Sequence, residues 1–395
     1  MTSPSILLGL PHGNRLGGVT TWSLNVAAEL AKDGHRAGIL IHASNKASLY
    51  DQPPGVDFVH LKGPPADWAL RFDVLEAKRK LNAWKATVFF PNGGHCGYVA
   101  AAYHKKNNPD LRIVGMAHSD ESYYYDTLIY YAPIIDRFLG VSYAIADKLK
   151  SLLPENRHAD IFCLPYGVPI PEQMEREANG VLKLLYAGRV AEYQKRVSRL
   201  AELAEILERL RIPFELHVAG DGPERVALEE KMKGRAVFHG SLSPEKVSLL
   251  MRECNVIVQL SDFEGTSLTM LEAMAAGMVP VMSAVTGIDA VVENGVSGLL
   301  QAVGDVEKAA DQIAMLHHDR SLLKTIGVNA REKVSRDFSI AGNATKISQL
   351  CHNLVGQPAD HRHLGKPAFP ISKEFGIFYA KARGKIRTEL GKIFK

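Results

Sequence analysis

The chain has 395 residues, 46% of them hydrophobic and 23% charged, a balance that excludes a disordered chain and fits two domains of about 150–200 residues better than one. No run of about 18 apolar residues is present, which excludes a membrane-spanning helix, and the opening MTSPSILLGLPHG lacks the basic start of a signal peptide. The net charge of +4 is unevenly placed: residues 366–395 carry eight Lys/Arg against Glu374 and Glu389, so the rest of the chain sums to −2.

In chain order, SILLGL is expected to be a strand, PHGNRLGGV a glycine-bearing loop, TTWSLNVAAELAKDG a helix and RAGILIH a second strand. That is the start of a β-α-β unit. Further buried strands are expected at 87–91 (TVFFP), 112–118 (RIVGMAH) and 137–142 (RFLGVS). PIPEQMEREANG (169–180) is polar and reads as a linker, after which the scheme restarts. LKLLYAGR, FELHVAG, NVIVQL and VPVMSA read as strands; RVSRLAELAEILERL, PEKVSLLMREC and SLTMLEAMAAG read as helices. Alternation of this kind implies parallel sheets with helices on both faces and a ligand cleft beyond the carboxyl ends of the strands. The expected division is 1–168 for a first Rossmann-like domain, 169–181 for the linker, 182–353 for a second and 354–395 for a basic tail.

From about 305 the chain reads as helical through 353. In the tail Phe375, Phe378, Ala382, Ile386, Leu390 and Ile393 form one apolar stripe, suited to packing back on the first domain. Its cations also suit contact with an anionic membrane surface, which the basic stretch 68–85, WALRFDVLEAKRKLNAWK, would assist. No interleaved aromatic-and-basic pattern or zinc-finger spacing points to nucleic acid. Cys96, Cys163, Cys254 and Cys351 are scattered without a C-x-x-C pair, the usage of free thiols in a reducing cytoplasm.

The stretch DFEGTSLTMLEAMAAGMVPV (262–281) carries Glu264 in a loop and Glu272 about two turns inside the following helix. A helix beginning near Thr266 or Ser267, with Gly265 before it, turns free backbone N–H groups toward a phosphate. Side chains tilt toward a helix N-terminus, which brings Glu272 back toward the same place, where a carboxylate accepts from vicinal hydroxyls. Phosphate and hydroxyls together describe a nucleotide sugar; two solvated glutamates at a helix start is the alternative. Arg189 and Lys195 in YAGRVAEYQKR follow a strand, where they can neutralise a diphosphate or merely form a basic loop. GDGP (220–223) and LGGV (16–19) allow close backbone approach or form plain turns. His118 in GMAHSDE ends a strand, as a functional or a structural histidine. The following SDESYYYD faces a polar acceptor or forms a solvated loop.

In this order the pieces LGGV, AHSDE, LPYGVP, YAGR…K, AGDGP, HGSLSPEKVSLLMREC and EGTSLTMLEAMAAG resemble the retaining glycosyltransferases of the GT4 type. The resemblance covers most of residues 5–340, and its most specific part looks like that family's E-x7-E signature. It implies the GT-B fold, in which two Rossmann-like domains face a central cleft, and transfer from a UDP-sugar or GDP-sugar to a glycan, lipid-linked or small-molecule hydroxyl. It further implies that Glu272 holds the ribose and Glu264 the donor sugar, with His118 against the transferred sugar. Arg189, Lys195 and the backbone at Thr266, Ser267 and Leu268 would hold the diphosphate. Gly17 and Gly18 would line the cleft near the phosphate or acceptor; Gly188, Gly220 and Gly265 would border the donor; the backbone around Gly240 and Leu242 would meet the base. No D-x-D occurs in the chain, which fits a site needing no metal or other cofactor. The sequence departs from the family pattern at Tyr166, where asparagine is common, and at Arg196, where glycine follows the lysine; the Arg189–Lys195 segment is one residue longer than usual. A nucleotide-sugar epimerase and a non-catalytic nucleotide-sugar binder are the rival readings.

Overall fold

The computed structural model describes residues 3–10, 17–42, 50–62, 71–106, 108–172 and 180–358. The first half runs β1 (Ser5–Leu10), α1 (Gly18–Lys32), β2 (Arg36–His42), β3 (Val56–Leu61), α2 (Arg71–Trp84), β4 (Val88–Phe90), α3 (His95–Lys105), β5 (Arg112–Ala117), α4 (Ser122–Tyr130), β6 (Arg137–Gly140), α5 (Tyr143–Leu152), a short 3-10 helix (Glu155–Asp160) and β7 (Ile161–Cys163). The second runs β8 (Leu182–Ala187), α6 (Ser198–Arg209), β9 (Phe214–Ala219), α7 (Arg225–Lys231), β10 (Ala236–Gly240), α8 (Pro244–Glu253), β11 (Val256–Gln259), α9 (Leu268–Ala275), β12 (Val279–Ser283), β13 (Leu299–Gln301), α10 (Val306–His318), α11 (Arg320–Asp337) and α12 (Ile340–Gly356).

The strands form two parallel sheets, ordered β3-β2-β1-β4-β5-β6-β7 and β10-β9-β8-β11-β12-β13. Both halves therefore start from a central strand, wind one way, and reverse at the β1/β4 and β8/β11 boundaries. At such a reversal the loops part and leave a crevice. The central strands are buried along their length, as in SILLGL and VIVQ, because helices cover both faces. Helix α6 buries Leu200, Leu203, Ala204 and Leu207 at helical spacing against the second sheet. Serine starts several helices by accepting the N–H three residues on, as Ser142, Ser243 and Ser339 do.

Two crossings join the halves. After β7 the chain leaves the first sheet through Leu164–Val168, and at Ser339 it returns. Val168 N–H donates to the Phe338 carbonyl and Ile340 N–H to the Val168 carbonyl, each at 2.9 Å. A Cβ on Gly167 would lie 2.6 Å from Asn343 Cβ and 2.9 Å from Ile340 Cα, so the two crossings touch through backbone. Helix α12, expected within the second domain, packs on α1 of the first. Trp22 Nε1 donates to Asn343 Oδ1 at 3.0 Å, Asn343 Nδ2 to the Pro165 carbonyl at 2.6 Å, and Arg112 Nε to the Leu354 carbonyl at 3.0 Å. Among the described residues, α12 is the helix that crosses back onto the first half. Residues 359–395, and with them the tail's apolar stripe and cations, lie outside the described residues.

Residues 68–70 of the basic stretch lie outside them too. In its remainder, Trp84 is buried, donating to Asp57 Oδ2 at 2.8 Å beneath the Arg36 guanidinium. No helix among the described residues is long and apolar enough to cross a membrane.

Asn343 is 6% exposed, and its truncation leaves the Trp22 indole N–H and the Pro165 carbonyl without their partners. Asn343→Ala is expected to cost about 1–3 kcal/mol, read as a fall of several degrees in the melting temperature; an unchanged melting temperature would show that α12 is held by other contacts.

Candidate active site

The site grows from the mouth of α9. Its N-cap Ser267 accepts from Met270 N–H through Oγ, and the same hydroxyl donates to Gln259 Oε1 at 2.8 Å. Gln259 is the last residue of β11 and donates in turn to the Ala187 carbonyl at the end of β8, at 3.3 Å. Two buried side chains thus pin the helix mouth to the pair of strands where the second sheet reverses. Thr266 Oγ1 donates to the Val141 carbonyl of the first half at 2.6 Å. The N–H groups of the first helical turn have no intrahelical acceptor, so the mouth is electropositive.

Glycine is required on both sides of this mouth. A Cβ on Gly265 would lie 2.7 Å from the His118 carbonyl oxygen, and a Cβ on Gly287 would lie 1.9 Å from the Gly265 carbonyl oxygen. Gly287 also has φ +88°, in the left-handed region. Gly18 approaches the mouth from the first half, a Cβ there meeting Leu268 Cδ1 at 3.1 Å. Gly17 is the extended N-cap of α1. Gly188 and Gly220 continue the β8-β9-β10 pairing just past the ends of β8 and β9: Gly188 N–H donates to the Ala219 carbonyl and Gly220 N–H to the carbonyl of Gly240, the last residue of β10. A Cβ on Gly220 would fall 1.8 Å from the Gly188 carbonyl oxygen. Close approach of backbones is the reason for glycine here.

Glu264 is 5% exposed. Lys195 Nζ donates to its Oε1 at 2.6 Å and Gln194 Nε2 to its Oε2 at 3.2 Å, while the same Gln194 amide holds the Phe263 carbonyl at 3.0 Å. The longer Arg189–Lys195 segment therefore still delivers its lysine to the glutamate. It does so with Arg196 at φ +46°, the left-handed conformation that glycine adopts freely, and with Arg196 and Arg199 both paired to Asp262. The Arg189 side chain is exposed, and Leu242 is partly buried beyond β10; neither is brought against another candidate residue by a hydrogen bond among the described residues.

Glu272 is the fifth residue of α9, one turn in rather than two. Its carboxylate has no hydrogen-bond or ion-pair partner among the described residues, and burial pushes its pKa up to about 7. Its charge acts on Tyr50 of the first half, whose hydroxyl meets Thr21 Oγ1 at 2.7 Å.

His118 follows β5 and is buried. Its Nδ1 is 2.6 Å from the Tyr166 hydroxyl and its Nε2 3.3 Å from Asn92 Oδ1, among the rings of Trp22, Tyr124 and Tyr166. Burial lowers its pKa to about 3, so the imidazole is neutral. The segment SDESYYYD is not a loop throughout: Ser122–Tyr130 forms α4.

Sequence reasoning passed over Gln194, Gln259, Asn92 and Gly287. Two of these left a signal, since Gln259 is the polar end of an otherwise apolar strand and Gly287 follows a strand as Gly188 and Gly220 do. No arrangement of three or more His, Cys, Asp or Glu suited to a metal ion occurs among the described residues.

Comparison with known proteins agrees with this architecture. Residues 16–170 match the family model described as glycosyltransferase family 4, and residues 170–333 the one described as glycosyl transferases group 1. A sulfoquinovosyl transferase of Arabidopsis thaliana is 32% identical over 168 residues, 42% of this chain and 32% of that protein. The N-acetyl-alpha-D-glucosaminyl L-malate synthase of Bacillus anthracis is 30% identical over 151 residues, 36% of this chain and 39% of that protein. These matches span well under half of either relative. Among solved structures, Anabaena HepE in complex with UDP and glucose superposes with a TM-score of 0.73 at 16% identity, over 89% of this chain and 100% of that one. Sucrose-phosphate synthase from Thermosynechococcus elongatus superposes with a TM-score of 0.74 at 18% identity, over 89% and 99%. Two facing parallel-sheet domains with the helix mouth at their junction define a GT-B protein. The chain belongs to the GT4-type glycosyltransferases.

Two outcomes follow for the ligand-free protein. A carboxyl group whose folded pKa is raised from 4.5 to about 7 favours the folded state below about pH 4.5 and loses that contribution as pH rises to about 7. Glu272→Gln is therefore expected to raise the melting temperature at pH 8, by the equivalent of about 1–3 kcal/mol, and to leave it nearly unchanged at pH 4.5; equal shifts at both pH values would refute the buried-charge account. Gly287→Ala is expected to lower stability by about 1–3 kcal/mol through steric overlap and an unfavourable φ, again read by thermal melting, with no change as the refuting result.

Proposed function

We propose that the protein transfers a sugar, with retention at the anomeric carbon and without a metal ion, from a nucleoside-diphosphate sugar to a hydroxyl of a glycan, lipid-linked or small-molecule acceptor. The observation that carries this reading is the mouth of α9, where the buried Lys195–Glu264 pair and the Glu272 carboxylate, without a hydrogen-bond partner among the described residues, flank backbone N–H groups.

As the bond from the anomeric carbon to the leaving phosphate breaks, positive charge grows on the sugar and negative charge on the diphosphate. Lys195, Arg189 and the N–H groups at Thr266, Ser267 and Leu268 stabilise the leaving diphosphate, fixed in place before reaction. Glu264, its own charge balanced by Lys195, accepts from hydroxyls of the donor sugar. Glu272 accepts from the ribose, with the base against Gly240 and Leu242. Gly17 and Gly18 let the first half close on the phosphate side. The acceptor proton passes to a departing phosphate oxygen on the same face, so neither glutamate needs to act as a nucleophile. Holding the two substrates together supplies much of the rate.

Names among the relatives point to UDP-linked donors, HepE being described with UDP and glucose; a GDP-sugar is the alternative donor. Contact of residues 366–395 with an anionic membrane belongs to the same reading and rests on their charge of +6.

A thermal-shift panel of UDP, GDP, ADP and their common sugar conjugates on wild type and Glu272→Gln tests the reading. A ligand at about 100 times its dissociation constant adds about 2.7 kcal/mol, so one nucleotide class is expected to raise the melting temperature by a few degrees, less in the variant. Because ribose hydroxyls need the charged carboxylate, wild-type affinity is expected to rise with pH up to about 7 and then level off. With NAD added to the panel as a control, a response to NAD alone would overturn the proposal.

A further inference from the structure

The surroundings of His118 fix more than its position. Asn92 is 2% exposed and its Nδ2 donates to Ser23 Oγ at 3.2 Å, which turns Oδ1 toward His118 Nε2 at 3.3 Å. An oxygen at that place requires a proton on Nε2. In a neutral imidazole Nδ1 is then bare and accepts, and the Tyr166 hydroxyl lies there at 2.6 Å. Tyr166 is itself 3% exposed, nearly parallel to the imidazole at an interplanar angle of 19° and in contact with Trp22. It sits immediately before Gly167, at the crossing that α12 clasps through Asn343 and Pro165. The histidine's orientation is thereby tied to the junction of the two halves.

We propose that Tyr166 is a positioning residue for His118: with the Nε2–H tautomer set by Asn92, its hydroxyl donates to Nδ1 and locks the ring in place, so that His118 meets a substrate oxygen as a neutral hydrogen-bond donor and not as a base. The 3.3 Å bond from Nε2 to Asn92 is the long one of the pair and is the one a sugar hydroxyl replaces. With Nδ1 occupied by the phenol, no lone pair is left to take a proton from an acceptor, which leaves that proton to the departing phosphate. The catalytic consequence rests on the glycosyltransferase reading; the tautomer does not.

Histidine-selective 15N labelling of the full chain and long-range proton–nitrogen correlation spectra read the tautomer directly, with His118 assigned by the signal lost in His118→Gln. The expected spectrum shows a protonated Nε2 and a bare, hydrogen-bonded Nδ1; in Tyr166→Phe the Nδ1 resonance moves to the position of a free imine nitrogen. A protonated Nδ1 in the wild type, or an unmoved Nδ1 resonance in Tyr166→Phe, overturns the inference. The wild-type spectrum alone decides it should the variant fail to fold. On a donor that the thermal-shift panel identifies, Tyr166→Phe is expected to lower kcat about tenfold, the scale of one hydrogen bond, with donor KM nearly unchanged; a rise in KM at constant kcat overturns the positioning role. The spectra need no substrate, so a wrong tautomer and a wrong activity fail separately.

Discussion

At Gly265 the chain threads a gap too narrow for any side chain, with the His118 carbonyl on one side and the Gly287 backbone on the other. That steric constraint sets where α9 begins and how near it stands to the first half. Move Gly265 by the width of a methyl group and the Thr266–Val141 and Ser267–Gln259 bonds cannot both be kept. The electropositive mouth of the helix, the glutamate just before it and the histidine opposite it are all placed by this one close contact. It is made of backbone, which does not change rotamer, so the site inherits the rigidity of the two sheets.

Charge is handled by the same economy of space. Glu264 would be costly to bury alone, and its neighbours offset that cost: Lys195 supplies the counter-charge and Gln194 fills the second oxygen. Glu272 is treated differently. It has no hydrogen-bond partner among the described residues, and burial raises its pKa. A paired carboxylate is stable as it stands, whereas an unpaired one gains most from a ligand that brings hydroxyl donors. The contrast between the two glutamates is the physical content of the E-x7-E spacing.

Much of this was legible in the sequence. The central strands read as continuous apolar runs because helices cover both faces, and the glycines after β8 and β9 marked the strand ends where loops converge. What the periodicity did not reveal was β3, β7, β10 and β13, and all four are edge strands. Two of them are only three residues long, and β3 and β10 are partly exposed, so none carries the apolar run of a buried strand. The assignment of residues 340–353 by sequence order to the second half met a similar obstacle. An amphipathic helix declares that it has a buried face, not which core that face meets, and for α12 the answer lies in α1, more than 300 residues away. Gln194 and Asn92 were illegible for a related reason: their partners, Phe263 and Glu264 for one and Ser23 and His118 for the other, come from separate elements of the same half and leave no local pattern.

Tyr166 and Arg196, the two departures from the family pattern, are where local rules are broken and compensated. A non-glycine residue at φ +46° is strained by about 1 kcal/mol, and Arg196 adopts that conformation while paired with Asp262, itself also held by Arg199. The loop that a glycine would leave loose is fastened at the residue next to Lys195, so the extra residue in the segment does not carry the lysine away from Glu264. Tyr166 acts likewise on the other half. A phenol is larger than an amide and has one donor in place of several, so the pocket must supply a single acceptor at the right distance, and His118 Nδ1 is that acceptor. Each departure thus exchanges flexibility for a directed polar contact. Each also lands on a candidate site residue, Lys195 in one half and His118 in the other, which ties what is particular to this chain to the geometry of its site.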